Sequence, residues 1–278
     1  MHQSDWLDRR PWLVYVLPLV VFLLLTSVEP AAPPTDEATG PAAAAEAGRA
    51  SAGAGPSEPA PSDRRAPGFS IPYAAYPVVY AIKIVLTLGT VVLVAPGYRR
   101  HPFSISRSAW VFGIVGAALW IGLCRLDLER TIIQPWLDRL GLDWLIAQGR
   151  RAAYNPFERL ADRPSLAAAF LAVRFVGLVA VVPLVEEFFL RGFLMRFVQR
   201  ADWWDVPFGR LTPLAAVVGT AAPVLMHPAE LLAAAVWFSW ITWLMARTRN
   251  IWDCVAAHAT TNLLLGVYVV ASGDWRLM

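Results

Sequence analysis

The chain has 278 residues, 57% of them hydrophobic and only 16% charged, with a mean hydropathy of +0.48. Soluble domains carry about 25% charged residues, so this is the composition of a membrane protein. Its net charge of +3 comes mostly from arginines at the ends of apolar runs and forms no stripe that would grip phosphates, which argues against a nucleic-acid partner. The two cysteines, Cys124 and Cys254, sit in or beside apolar runs, without the spacing of a metal knuckle or a disulfide framework.

The first apolar run, Trp12 to Val28, follows Arg9 and Arg10. Ser27-Val28-Glu29-Pro30 is a poor cleavage site, so residues 1–29 read as an uncleaved transmembrane anchor. Residues 30–68 are rich in Ala, Pro, Gly and Ser with almost nothing large to bury, and read as a disordered linker. Further apolar runs follow at Ile71 to Pro96, Ala109 to Leu123, Ser165 to Phe197, Leu211 to Met226, Leu231 to Met245 and Ile251 to Ala271. A helix needs about 20 residues to cross the hydrocarbon core, and two of these runs are marginally short. The expected fold is an all-α integral membrane bundle of about seven spans. Residues 69–164 then hold two spans plus an interfacial amphipathic segment, Arg125 to Pro164, marked by Trp136 and Trp144. The other tryptophans, Trp203, Trp204, Trp240 and Trp243 among them, read as interfacial anchors and lipid-facing bulk.

Arg9 and Arg10, Arg99, Arg100 and Arg107, Arg196, Arg200 and Arg210, and Arg247 and Arg249 all fall on one side of a seven-span chain. The positive-inside rule makes that side, and the N-terminus, cytoplasmic.

The stretch from Val182 to Phe193 carries the chemistry: Glu186 and Glu187 stand side by side in an apolar helix, followed by Arg191. Each central charge opposes insertion by about 2.5–3.5 kcal/mol, so these groups need compensation. Glu187 and Arg191 are four residues apart and are expected to form an internal salt bridge. Glu186 points about 100° away around the helix. A carboxylate in a dry setting holds a proton more strongly, as a general base working near neutral pH must. Pro183 is expected to kink the span and admit water beside it. His227 closes a short apolar run, while His258 and Asn262 share one face of the last span. Either histidine alone is more often a hydrogen-bonded core residue. An acid pair, a histidine and a His/Asn pair on three spans are what a polar site inside a bundle requires. Lys83 and Arg174 read as snorkelling or paired inside the bundle, with substrate contact as the alternative, and Glu230 either assists His227 or faces the interface.

Glu186-Glu187-x-x-x-Arg191, His227, and His258-x-x-x-Asn262, in that order, resemble the CAAX protease and bacteriocin-processing (CPBP) family of intramembrane endopeptidases over residues 165–278. The family usually has Phe four residues before its middle histidine, and Pro223 stands there in this chain. The resemblance implies that Glu186 and His227 hold and activate a water. It implies that His258 and Asn262 stabilise the oxyanion, with Glu187 and Arg191 as scaffold. A zinc version with Glu186, His227 and His258 as ligands is open to the same residue types, although no His-Glu-x-x-His segment occurs. The metal-free version needs no cofactor. The implied partners are the bilayer and a membrane-attached, lipidated or sorting-signal protein or peptide, and the location is the cytoplasmic membrane of a bacterium, with the site opening to the cytoplasm. The layout of the N-terminal spans and linker is similar to CAAX-protease-related proteins associated with exosortase sorting systems. Two rivals from other classes are a proteolytically silent scaffold and a transporter relaying protons through the same charges.

Overall fold

A computed structural model describes residue 7 and residues 9–30, 71–142 and 154–277; most of the linker expected at 30–68, and Trp144, lie outside the described residues. The described chain is helical, and every apolar run becomes a helix. These are α1 (Pro11–Thr26), α2 (Tyr76–Tyr98), α3 (Arg107–Leu126), α4 (Pro164–Phe197), α5 (Pro213–Leu225), α6 (Leu231–Thr248) and α7 (Ile251–Ser272). Five of them are long and apolar enough to cross a membrane, whereas α1 and α5 are shorter.

The helix ends follow from local chemistry. Pro164 and Pro213 open α4 and α5, where a missing N–H costs nothing. The Asn250 carboxamide oxygen accepts from the Trp252 N–H to start α7, and its amide donates to the Ser104 carbonyl at 2.8 Å. Asp253 accepts from the Ser106 N–H and hydroxyl at 2.7 and 2.8 Å, tying the start of α3 to α7. α7 stops at Gly273, whose φ of +70° suits a residue without a Cβ.

α3 lies along α7 and α6, α1 along α2, and α5 along α6. The α3–α7 approach is close because Gly113 and Gly116 put bare backbone against Thr260 and Thr261, and Gly116 also meets Trp237 of α6. α4 runs between two apolar clusters. Val185 and Phe188 join Tyr15, Tyr98 and Trp203 on the α1–α2 side, while Leu190 and Met195 join Trp237, Phe238 and Ile241 on the α3–α6–α7 side. α2 exposes Val78, Ile82, Val85, Val92 and Leu93, an apolar stripe that water would not tolerate and lipid does.

The arginine-bearing loops gather at one end of the bundle. The α2–α3 loop contacts Tyr15 of α1 through His101 (2.9 Å) and the α6–α7 loop through Ser104, and Gly209 of the α4–α5 loop lies against Arg249. In the segment expected to be an interfacial helix, Gln134–Arg139 buries no side chain and Trp136 is exposed. Just before it, buried Glu129 accepts the Leu232 N–H at 3.1 Å and so satisfies the start of α6.

Candidate active site

α4 departs from α-helical register twice. The stretches Gly177–Val181 and Phe188–Leu194 are wound as π turns, with Val182–Glu187 between them. Such turns inside an α-helix are frequent at functional sites. In the first, Val182 N–H bonds the carbonyl five residues back, at Gly177. The next bond in that register would run from residue 183 to Leu178, but Pro183 has no N–H to give. Asn262 takes the vacancy, its Nδ2 donating to the Leu178 oxygen at 2.8 Å. Pro183 thus leaves the Leu178 carbonyl free to anchor Asn262.

The expected salt bridge is present and fully buried, with Arg191 Nη1 donating to Glu187 Oε1 at 2.9 Å. The guanidinium also donates to the Phe238 carbonyl at 3.2 Å. The same carboxylate oxygen meets His258 Nδ1 at 3.0 Å. Opposite an ion-paired carboxylate, Nδ1 carries the proton, which makes Nε2 the acceptor nitrogen of the neutral ring. Glu187 and Arg191 are therefore more than a helix staple, because they fix the orientation and tautomer of a histidine on another helix. The Trp237 ring lies 4.5 Å from the His258 ring, centroid to centroid, and its Nε1 donates to Thr261 Oγ1 at 3.2 Å.

His227 sits just beyond α5, between the Trp120 and Phe238 rings. Its Nδ1 lies 2.8 Å from the Pro223 carbonyl oxygen, which can only accept, so this ring also carries its proton on Nδ1. The residue that departs from the family pattern thus anchors the histidine through its backbone, which asks nothing of the side chain at 223.

Glu186, His227, His258 and Asn262 all line one cavity of about 660 Å³. From Glu186 it follows α4 past Val182, Leu178 and Arg174, and it reaches Glu29, Tyr73 and Tyr154 at the end of the bundle opposite the arginine-bearing loops. Two expectations therefore separate: if the basic loops are cytoplasmic, the cavity extends towards the other face. Glu186 stands in the half of α4 nearer the basic loops, but α4 side chains lean towards its N-terminus and carry the cavity that way. Among the described residues, no three His, Cys, Asp or Glu side chains are grouped to hold a metal ion.

A family model for Rce1-like type II CAAX prenyl endopeptidases matches residues 168–264. This segment is an Rce1-like domain. It contains every expected site residue from Glu186 to Asn262; the match supports a CAAX-type intramembrane endopeptidase in general, and five helices are long and apolar enough to cross a membrane. The match does not reach the N-terminal spans on which the layout resemblance rests. No curated protein and no solved structure matches the chain.

Outside the Rce1-like domain, α1 and α2 contribute Phe22, Thr26, Tyr76 and Lys83 to the cavity wall. Of these, sequence reasoning had weighed only Lys83 as a substrate contact, and it missed Trp120, Trp237 and Thr261 on the same wall. Trp203 and Trp237 are buried, against the expectation that the tryptophans face lipid or the interface; nothing in a Trp's own neighbourhood in the sequence separates the two fates. Lys83 and Arg174 do not snorkel: Lys83 is ion-paired with Glu29, and Arg174 donates to the Tyr154 carbonyl at 3.2 Å. Glu230 is buried at the start of α6 and does not line the cavity.

Proposed function

We propose that the Rce1-like domain hydrolyses a peptide bond of a membrane-attached protein or peptide with a water activated by Glu186 and His227, without a resident metal. The convergence of Glu186, His227, His258 and Asn262 on one cavity carries this reading. As the water oxygen attacks the peptide carbonyl carbon, Glu186 takes one of its protons, and it returns that proton to the leaving amine when the C–N bond breaks. His227 Nε2 accepts the second hydrogen of the water and orients it. Asn262, held at Leu178 through one amide hydrogen, has a second to offer the oxyanion. His258, whose ring Glu187 orients through Nδ1 at 3.0 Å, turns Nε2 to the same cavity and donates to the oxyanion when both ring nitrogens carry a proton. The substrate is a lipidated or sorting-signal protein, and the chain sits in the cytoplasmic membrane of a bacterium with its N-terminus in the cytoplasm.

The test is turnover of a quenched lipidated peptide library by the purified chain in detergent, with Glu186→Ala, His258→Ala and a chelator arm. The expected result is cleavage that both substitutions abolish and the chelator leaves intact. Inhibition by the chelator would transfer the chemistry to a metal. Cleavage by wild type that survives Glu186→Ala would remove Glu186 as the base, and no cleavage at all would favour the scaffold and transporter readings.

A further inference from the structure

Four lysine or arginine side chains are buried among the described residues: Lys83, Arg174, Arg191 and Arg196. Three are neutralised or fully engaged. Lys83 pairs with Glu29, Arg191 pairs with Glu187, and Arg196 donates to the carbonyls of Gly192, Val206 and Trp204 at 2.8–3.0 Å. Arg174 makes no ion pair with any described residue. It stacks over Phe170, and one of its nitrogens donates to the Tyr154 carbonyl. It is 5% exposed, yet it lines the cavity, so donors remain for whatever enters that space. Lys83 and Glu29 line the same end, and the described charged groups there, two cations and one carboxylate, leave an excess of one positive charge. A guanidinium in so dry a place calls for an anion to complete its hydrogen bonds.

We propose that Arg174 binds the phosphodiester of an anionic phospholipid, whose single negative charge balances that excess. The depth of the site fits a headgroup. α4 side chains lean towards the N-terminus of the helix, and the guanidinium accordingly reaches Tyr154, which precedes α4. Tyr73 and Tyr76 stand where α2 begins, and their rings lie 5.5 and 5.0 Å from that of Tyr154, centroid to centroid. Tyrosines gathered at helix ends mark the headgroup level of a bilayer. Further along the cavity, Phe22, Leu23, Leu178 and Leu265 supply apolar wall. The lining therefore changes from charged to apolar in the same order as a phospholipid changes from headgroup to chain. A guanidinium also meets two phosphate oxygens at once, which the point charge of Lys83 cannot do. Nothing in this site requires Glu186 to act as a base, so it stands apart from the peptidase reading.

The experiment is native mass spectrometry of the full chain from a non-ionic detergent, titrated with dioleoyl phosphatidylglycerol, with the phosphate-free dioleoylglycerol, or with inorganic phosphate alone. Wild type is expected to hold phosphatidylglycerol about tenfold or more tightly than dioleoylglycerol, the worth of hydrogen bonds to a charged group. That margin should vanish in Arg174→Gln and shrink partway in Arg174→Lys. It should keep its wild-type value in Arg200→Gln, which alters an exposed arginine at the basic end of the bundle. Each ratio is taken within one preparation, and the wild-type ratio stands without any variant, so a loss of folded protein cannot imitate the result. Equal binding of the two lipids by wild type, or a margin that persists in Arg174→Gln, would overturn the proposal. So would an equal loss in Arg200→Gln, which would move the binding to the basic loops. Arg174-dependent retention of inorganic phosphate, with no preference for phosphatidylglycerol, would reject the lipid as the source of the phosphate.

Discussion

Glu187 is the residue on which most of the candidate site depends, since one of its oxygens meets both Arg191 and His258. Glu187→Gln keeps the shape but removes the negative charge that both Arg191 and His258 meet, leaving the buried guanidinium without its counter-ion and the His258 ring without its anchor. Turnover is expected to fall by about 10²-fold or more, with KM changed far less, as when the acid orienting a catalytic histidine is neutralised. An unchanged kcat would reduce Glu187 to a structural acid. The i,i+4 pairing of Glu187 with Arg191 was legible in the sequence because it is local; the bond to His258, 71 residues away, was not. His101, in the α2–α3 loop, had no sequence signal at all. Its Nε2 meets the Tyr15 hydroxyl at 2.9 Å, and burial, followed by Arg196 and Arg100, lowers its pKa from 6.5 to about 4. The unfolded chain therefore takes up this proton before the folded one does. The stability tied to the neutral ring is complete above about pH 6.5 and is lost as the pH falls towards 4. Thermal unfolding in detergent across that window should show the decline in wild type and a flatter profile in His101→Gln; parallel profiles would place the acid sensitivity elsewhere.

At the scale of elements, α4 and α7 carry most of the site, and α3 holds α7 in place. A Cβ at Gly113 would stand 2.5 Å from Thr260 Cβ and 2.7 Å from the Ala257 carbonyl oxygen, neither of which is a flexible end that can move aside. Gly113→Val should push α7 outwards, costing about 1–3 kcal/mol or more of stability and displacing His258 and Asn262. Lower unfolding temperature and lower kcat are expected together, whereas Gly122→Ala, with nothing within 4 Å, should resemble wild type. A Gly113→Val protein that unfolds and turns over normally would show that the α3–α7 contact does not position the site. Helix existence was legible throughout, because long apolar runs leave a chain in lipid little choice but to bond its own backbone. The π turns in α4 were not, since register depends on what neighbouring helices demand. Pro183 was visible as a breaker, but its consequence, a spare Leu178 carbonyl for Asn262, needs the i→i−5 pattern that only the folded helix displays.

For the whole molecule the open matter is which face of the membrane the cavity meets. The basic loops share one end and the cavity reaches the other, so orientation decides whether substrate enters from the cytoplasm or from the opposite face. The positive-inside rule weighs arginines in short loops close to span ends, and Arg99, Arg100, Arg107, Arg200, Arg210, Arg247 and Arg249 all meet that description. It therefore places the cavity mouth at the non-cytoplasmic face, where a substrate would have to be presented after export. Asp162 before α4 and Arg200 after it are both exposed, at opposite ends of the same helix. In a Cys124→Ser background, with Cys254 buried, cysteine placed at either position can be tested in intact cells with a membrane-impermeant thiol reagent. Asp162→Cys should label before lysis and Arg200→Cys only after it. The reverse pattern would turn the bundle over, bring Arg174 and the tyrosine-lined end of the cavity to the cytoplasm, and make cytoplasmic proteins the substrates instead.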